Sequence, residues 1–261
     1  MAVNYSGAPS VRIFLLRLDP GAQPVADTIA QAMADLSDRA SDQSAAQCDA
    51  PAVNCLAIDP HRHWNEALAV LGSDEADRAG RLRDRARMQA YVHAHACLRL
   101  LLARHLGDTA APAIAFTAGP AGKPRLDREP ASVHFSLSYR SGFVAIALGD
   151  APLGVDVERV EDGIDMAGIA QRFFAPDEQA HLAATAPAAR RRAFFALWTR
   201  KEALVKAAGV GVDLLAACSA LKSPAKLVDE LGDPRRYWVH ELKSSSDHAL
   251  ALAVEMPGAP I

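Results

Sequence analysis

Acidic and basic side chains recur at two places in the second half of the sequence, each beside an apolar segment. Asp156 and Glu158 alternate with two valines, so a strand would carry both carboxylates on one face. Glu202 and Lys206 are four residues apart, the spacing of neighbours on one helix face. Three carboxylates brought together would raise one another's pKa values unless a cation sat among them. Mg²⁺ prefers oxygen ligands and shares them with substrate phosphates, so a magnesium site with Lys206 as a phosphate contact is one interpretation.

The same spacings also fit a simpler interpretation, and taken alone they favour it. D-x-E and K-E-x-x-x-K are short, common patterns, typical of solvated acids on a strand and of an exposed ion pair on a helix. Trp198 precedes Glu202 by four residues on the same stripe, and residues 193–197 are apolar. This indicates a helix that begins in the core, with Trp198 packing against it.

The elements around these residues predict an α+β protein of two similar α+β halves in a pseudo-twofold arrangement, with a cleft between them. Residues 51–150 are expected to form the first half and 151–261 the second, because helices precede a late strand pair in each. Residues 1–50 are expected to be a partly flexible N-terminal extension. Predicted strands include 52–58, 133–138, 143–148, 154–158, a short one near 220–221, 237–242 and 249–254.

Composition excludes several classes of protein. Half of the 261 residues are hydrophobic, and the net charge of -3 provides no general attraction to nucleic acid or acidic membranes. No apolar run approaches the roughly 20 residues of a membrane helix. The four cysteines follow no pairing pattern, which favours a reduced, cytoplasmic protein. We expect a monomer with neither a nucleic-acid nor a membrane partner.

Two motifs in combination carry a family resemblance. Gly154-Val155-Asp156-Val157-Glu158 is followed about forty residues later by Trp198-Thr199-Arg200-Lys201-Glu202-Ala203-Leu204-Val205-Lys206. Together they resemble the paired signature of the Sfp-type 4′-phosphopantetheinyl transferases, G-[IV]-D-[IV]-E and W-[ST]-x-K-E-[AS]-x-x-K. Gly122-Lys123-Pro124 and Phe135-Ser136-Leu137-Ser138 lie where the family has related segments. The resemblance covers roughly residues 53 to 256.

The resemblance implies a specific activity. Members bind coenzyme A between two similar halves and transfer its phosphopantetheine arm to a serine of an acyl or peptidyl carrier protein, releasing adenosine 3′,5′-bisphosphate. By matching positions, Asp156, Glu158 and Glu202 would hold Mg²⁺, or Mn²⁺ in its place, on the pyrophosphate. Glu202 would also be the general base for the carrier serine, and Lys206 would bind the pyrophosphate.

The resemblance also implies a coenzyme A site, with one departure from the family. Gly122, Lys123 and Ser138 would hold phosphates at the nucleotide end, with Asp156 and Lys206 at the pyrophosphate. Most members have His directly after the serine matched by Ser138, whereas this chain has Tyr139 followed by Arg140. We therefore predict that Arg140 takes over part of the phosphate contact. Arg87 is the nearest replacement for an arginine early in the family's first long helix.

Two other functions are consistent with these residues. A non-catalytic module that binds coenzyme A or a carrier protein could share the fold, and the departure at Tyr139 is the feature in its favour. A metal-dependent phosphohydrolase would release phosphate without a carrier, but the sequence offers no further metal-ligand motif for it. Modification of an apo carrier protein distinguishes the three.

Overall fold

The computed structural model describes residues 9–22, 28–43, 53–107, 109–127, 133–140, 142–226, 235–244 and 247–257. This part of the chain has the predicted α+β architecture. The strands are β1 Val11–Leu18, β2 Val53–Ile58, β3 Phe116–Ala118, β4 Pro124–Leu126, β5 His134–Arg140, β6 Phe143–Gly149, β7 Leu153–Arg159, β8 Ala225–Lys226, β9 Arg236–Glu241 and β10 His248–Glu255. The helices are α1 Ile29–Gln43, α2 Trp64–Val70, α3 Ser73–Arg81, α4 Arg85–Leu106, α5 Met166–Phe173, α6 Pro176–Ala184 and α7 Pro187–Ala208.

The first four-stranded sheet has the order β2-β1-β6-β5 and packs against α4. Strand β1 pairs in parallel with β2 and antiparallel with β6, and β5 and β6 form an antiparallel hairpin. Helix α4 begins at an Asp84 side chain that accepts from the Arg87 amide, and it ends at Gly107. The N-terminal half is thus a sheet with one long helix on its outer face.

The structure differs from the predicted N-terminal extension. Strand β1 is an inner strand of the first sheet, and the side chains of Ile13, Phe14 and Leu16 are fully buried. Helix α1 packs against α4 through Ile29 and Met33. Strand β1 and helix α1 are therefore part of the N-terminal core, because β1 lies in the middle of its sheet and α1 packs against α4. Residues 1–8 and 44–50 lie outside the described part of the chain.

The second four-stranded sheet is antiparallel throughout and has the order β7-β10-β9-β8. Helix α7 lies across β7 and β10. Pro187 occupies the first turn of α7, where its missing amide costs nothing, and Gly209 ends the helix in a left-handed conformation (φ 70°). The short strand predicted near residues 220–221 is absent from the described chain there, and β8 follows it at Ala225–Lys226.

The two sheets pack against each other through a shared apolar layer. Val155 and Val157 of β7 contact this layer, which contains Ile13 and Leu15 of β1 and Leu252 of β10. The predicted alternation of β7 is confirmed, since the valines lie inside the layer between the halves. Among the described residues, no helix is both long and apolar enough to cross a membrane.

Candidate active site

Helix α7 crosses β7 at very short range, and Gly154 makes that approach possible. A methyl group at position 154 would overlap the carbonyl oxygen of Ala203 and the amide nitrogen of Ala207. Any larger residue would push the helix away from the strand. The close crossing brings Lys206, on α7, beside Asp156, two residues along β7.

Asp156 is the buried centre of the site, with a side chain only 5% exposed. Its Oδ1 accepts hydrogen bonds from Ser138 Oγ at 2.8 Å and from Lys206 Nζ at 2.7 Å. Its Oδ2 is buried and has no hydrogen-bond partner among the described residues. Because an unpaired buried carboxylate oxygen is costly, Oδ2 is a ready ligand for a cation or a hydrogen-bond donor.

Glu158 and Glu202 are half-buried carboxylates close enough to Asp156 to feel its charge. Burial, followed by the charge of Asp156, raises the pKa of Glu158 to about 7, although Arg140 at 3.3 Å opposes the rise. Burial and Asp156 likewise raise the pKa of Glu202. The structure therefore brings the three predicted carboxylates into one electrostatic group, whose negative charge Lys206 and Arg140 offset only in part.

The three carboxylates suit a hard cation without forming a finished cage for one. Among the described residues, no group of three or more His, Cys, Asp and Glu side chains is arranged to hold a metal ion by itself. Mg²⁺ needs only one or two carboxylates when waters and substrate phosphates complete its octahedron. The free Oδ2 of Asp156 and the raised pKa of Glu158 are the features that fit such an ion.

Side chains occupy the edge of β7 that faces away from β10. The amides of Val155 and Val157 donate to the hydroxyls of Ser136 (3.0 Å) and Ser138 (3.4 Å), which lie on β5. Two lysines take the adjacent carbonyls: Lys206 Nζ donates to Val155 O at 3.3 Å and Lys123 Nζ to Leu153 O at 2.7 Å. This edge is thus where the two halves meet and where the candidate site is assembled.

Comparison with known proteins agrees with this arrangement. A family model described as the 4′-phosphopantetheinyl transferase superfamily matches residues 152–253, which contain β7, α7 and most of β10. A 4′-phosphopantetheinyl transferase of Bacillus subtilis is 33% identical over 156 residues, which are 55% of this chain and 68% of the relative. The chain belongs to the 4′-phosphopantetheinyl transferase superfamily. Asp156, Glu202 and Lys206 all lie within the region that the superfamily model matches.

Two further superfamily relatives cover less of their own length. The 4′-phosphopantetheinyl transferase psf-1 of Bacillus pumilus is 46% identical over 92 residues, 35% of this chain and 38% of the relative. A Synechocystis sp. protein, whose name assigns the same activity provisionally, is 36% identical over 146 residues, 55% of this chain and 59% of the relative. The chain thus matches between 38% and 68% of the length of these three relatives.

The remaining predicted site residues of this superfamily member differ in exposure and in the groups that they contact. Arg140 is half exposed and lies at 3.3 Å from Glu158 and 3.4 Å from Glu161, at the mouth of the site. The Tyr139 ring faces α4, with its centroid 6.3 Å from those of Tyr91 and His95. Ser138 is buried and bonded to Asp156, so its hydroxyl already has a partner in the protein.

The other predicted residues lie further from the carboxylates. Gly122 has φ 76° and forms the turn between β3 and β4. Lys123 follows it, but its ammonium donates to the backbone carbonyls of Leu153 and Lys206. Burial, followed by repulsion from Lys206, lowers the pKa of Lys123 to about 8. Arg87 is exposed in the first turn of α4.

The helix that carries the superfamily's second motif is held in the core as predicted. The Trp198 ring stacks on those of Phe174 and Phe194, with centroids 6.3 and 6.4 Å away, and meets the Phe173 ring edge-on at 5.8 Å. Trp198 therefore fixes the rotation of α7, and Glu202 and Lys206, one and two turns later, are directed towards β7.

Sequence reasoning did not assign a role to a buried ion pair beside the site. Lys201 Nζ lies 2.5 Å from Glu178 Oε2, and both side chains are completely buried. The Glu178 oxygens also accept the amides of Ala175 and Ala220, and Lys201 donates to Cys218 O. A capping pattern at Pro176-Asp177-Glu178 was the available signal, but it does not reveal a partner 23 residues away.

Proposed function

We propose that this chain is a Mg²⁺-dependent 4′-phosphopantetheinyl transferase that modifies a serine of an acyl or peptidyl carrier protein with coenzyme A as the donor. The observation that carries the proposal is the pairing of Lys206 with Asp156, whose second oxygen is free, beside two carboxylates with raised pKa values. These four residues can together bind a cation, contact a phosphate and supply a general base. The superfamily membership and the names of the relatives support the same activity.

Asp156, Glu158 and Glu202 are the residues that would hold Mg²⁺, with Mn²⁺ as a substitute. When bound, the ion would neutralise pyrophosphate oxygens and help to orient them for in-line displacement. Asp156 can contribute its free Oδ2 without giving up Ser138 or Lys206. Glu158 must lose its proton to become a ligand, because its pKa of about 7 leaves it partly protonated at neutral pH.

Glu202 and Lys206 divide the chemistry of the transfer. A new bond forms between the carrier serine oxygen and the β-phosphorus of coenzyme A, and the bond from that phosphorus to the bridging oxygen breaks. Glu202 accepts the serine proton, for which its raised pKa suits it. Lys206, 30% exposed, neutralises the charge that develops on the departing adenosine 3′,5′-bisphosphate.

Coenzyme A would be held by residues around the same edge. Arg140 is the cation at the mouth of the site and would contact a phosphate in place of the family's histidine. Tyr139 and Ser138 would shape that region, and Gly122 would allow the chain to turn next to the nucleotide. Arg87, exposed at the start of α4, would make a peripheral contact.

The setting of the activity is part of the same proposal. A monomer can carry it out, because all the proposed site residues belong to one chain. A cytoplasmic location is supported by Cys55, Cys97 and Cys218, which are free thiols, as expected under reducing conditions. Acyl or peptidyl carrier proteins and coenzyme A are the only partners that the proposal requires, with no nucleic acid or membrane.

Mass spectrometry of a carrier protein tests the proposal. An apo carrier incubated with the chain, coenzyme A and Mg²⁺ should gain the mass of one phosphopantetheine group. Glu202→Gln should abolish the gain while leaving the fold intact. Asp162→Asn is the matched control, because its side chain is 85% exposed and its partner among the described residues is the exposed Arg191.

The outcomes separate the alternatives. Binding of coenzyme A without a mass gain on any of several acyl and peptidyl carriers would contradict the proposal and favour a non-catalytic binding module. Release of inorganic phosphate without carrier would favour a phosphohydrolase. If a metal chelator left the rate of phosphopantetheine transfer unchanged, the Mg²⁺ requirement would be refuted but the transferase activity would stand.

A further inference from the structure

The side chain of Lys123 joins the N-terminal half to the two elements of the candidate site. Lys123 ends the turn between β3 and β4, which Gly119 N closes by donating to Lys123 O at 2.7 Å. From that turn its Nζ reaches Leu153 O at 2.7 Å and Lys206 O at 2.8 Å. One ammonium therefore bonds to carbonyls that are 30 and 83 residues away in sequence.

Both carbonyls are at positions where a cation is favourable. Leu153 begins β7, and its carbonyl faces the edge of the sheet away from β10. Lys206 lies in the last turn of α7, where carbonyls lack intrahelical donors and carry the negative end of the helix dipole. The only other described donor to Lys206 O is the amide of Gly209, at 3.3 Å. Lys123 thus completes the hydrogen bonding at the end of α7.

These bonds lie next to the contact on which the proposed activity depends. Leu153 immediately precedes Gly154, where α7 and β7 approach most closely. Lys123 donates to the backbone carbonyl of Lys206, and the Lys206 ammonium in turn donates to Asp156 Oδ1 at 2.7 Å. A shift of the last turn of α7 would therefore move Lys206 Nζ relative to Asp156, with a direct effect on any phosphate bound there.

We infer that Lys123 is a positioning residue, which holds the end of α7 against the start of β7 so that Lys206 faces Asp156. This replaces a direct phosphate contact by Lys123 with an indirect role through Lys206, and it rests on the proposed transferase function. Two of the three ammonium protons of Lys123 are already directed at backbone oxygens, which leaves one for any other acceptor. The residue acts through the backbone of Lys206 and touches none of the three carboxylates.

Amide hydrogen exchange tests the positioning without any need for activity. Lys123→Met keeps a long apolar side chain but removes the ammonium, so the last turn of α7 should open more often. The amides of Gly209 and Val210, which donate to Lys206 O and Val205 O, should exchange about tenfold faster or more. Lys222→Met, at an exposed position, is the matched control and should change nothing. Unchanged protection at Gly209 and Val210 in Lys123→Met would overturn the inference.

A double-mutant cycle tests the consequence for transfer. Lys123→Met should lower kcat/KM for transfer by about tenfold in the natural background and by less than about twofold in Lys206→Met, because both changes act through one side chain. Equal losses in the two backgrounds would show an independent contact and contradict positioning. Lys123→Arg keeps the cation and should restore most of the protection, which guards against an unfolded Met variant. If the natural chain transfers nothing, the function fails, and the exchange result still decides the role of Lys123.

Discussion

Lys206 Nζ donates to Oδ1 of Asp156, and this bond leaves the other oxygen of the same buried carboxylate without a described partner. The two side chains come from different elements, yet Gly154 allows their backbones to approach closely enough for direct contact. Lys206 therefore neutralises one side of Asp156 while the other side remains available.

Asp156→Asn should remove activity without removing the fold. The amide has the same shape, so Ser138 can still bond to it, but it loses the charge that Lys206 and a metal ion require. We expect transfer to fall by about a hundredfold or more. Steady-state kinetics and a thermal melt of the same sample measure both effects. Activity within a few-fold of the natural chain would show that Asp156 is not part of the site.

Binding of Mg²⁺ should release a proton at neutral pH. The pKa of Glu158 is raised to about 7, so at and below that pH the metal must displace its proton, and affinity should increase as the pH rises through 7. Calorimetry in buffers of different ionisation enthalpy measures the release. Glu158→Gln should reduce the proton release to what Glu202, whose pKa is also raised, contributes. If the affinity for Mg²⁺ stayed constant from about pH 6 to about pH 8, roughly one unit on either side of the pKa of Glu158, the rise in that pKa would be contradicted.

Glu158→Gln should also stabilise the chain in the absence of metal. Because the pKa of Glu158 is higher in the folded chain, the free energy of unfolding falls as the pH rises from the unfolded pKa of 4.5 through the folded pKa of about 7. Above that range the neutral amide should be more stable by on the order of 1 kcal/mol, reduced by the lost pairing with Arg140. Urea unfolding at high and low pH checks this. A variant that is less stable at high pH would show that the pairing with Arg140 dominates.

Glu75 should contribute stability that disappears in acid. Burial opposes its ionisation, but hydrogen bonds from His95 (2.9 Å) and Arg99 (2.5 Å) outweigh burial and hold its pKa at about 2. Its stabilisation is complete above the unfolded value of 4.5 and is lost as the pH falls towards 2. Glu75→Gln should cost about 2 kcal/mol at neutral pH and progressively less in acid. A cost that does not vary with pH would contradict this assignment.

The buried pair of Lys201 and Glu178 should be costly to break and cheaper to replace. Lys201→Met leaves a buried carboxylate without its cation and should destabilise the chain by roughly 3–5 kcal/mol. Adding Glu178→Gln should recover part of that loss, because the uncompensated charge is gone. Chemical unfolding of the single and double variants provides the comparison. Additive losses would mean that the two residues do not interact.

Local patterns were sufficient to predict the elements that carry the site. The alternation in 154–158 placed the carboxylates of β7, and the apolar approach to Trp198 with Gly209 after it placed α7. Such signals depend on neighbours within one element, which is why they can be read from a single chain. That Asp156, Glu202 and Lys206 share one site was implied by the family resemblance of the two motifs and not by either pattern alone.

Contacts between distant segments could not be predicted in the same way. The carbonyl acceptors of Lys123 are brought to it by tertiary packing. The turn-rich sequence around Lys123 therefore gave no sign that its side chain points into the protein. The apolar run at residues 11–16 is compatible with a strand, but nothing local indicated that the strand lies inside a sheet. Near residue 220 the apolar run suggested a strand, whereas the Ala220 amide bonds to Glu178 and forms no ladder.

The way in which β7 uses its outer edge has a consequence for the behaviour of the protein in concentrated solution. A terminal strand with free amides and carbonyls is a template on which another chain can add a strand and begin to aggregate. Here two serines and two lysines occupy successive groups from Leu153 to Val157. An incoming strand would have to displace all four side chains, so the residues that build the site also protect the chain against self-association.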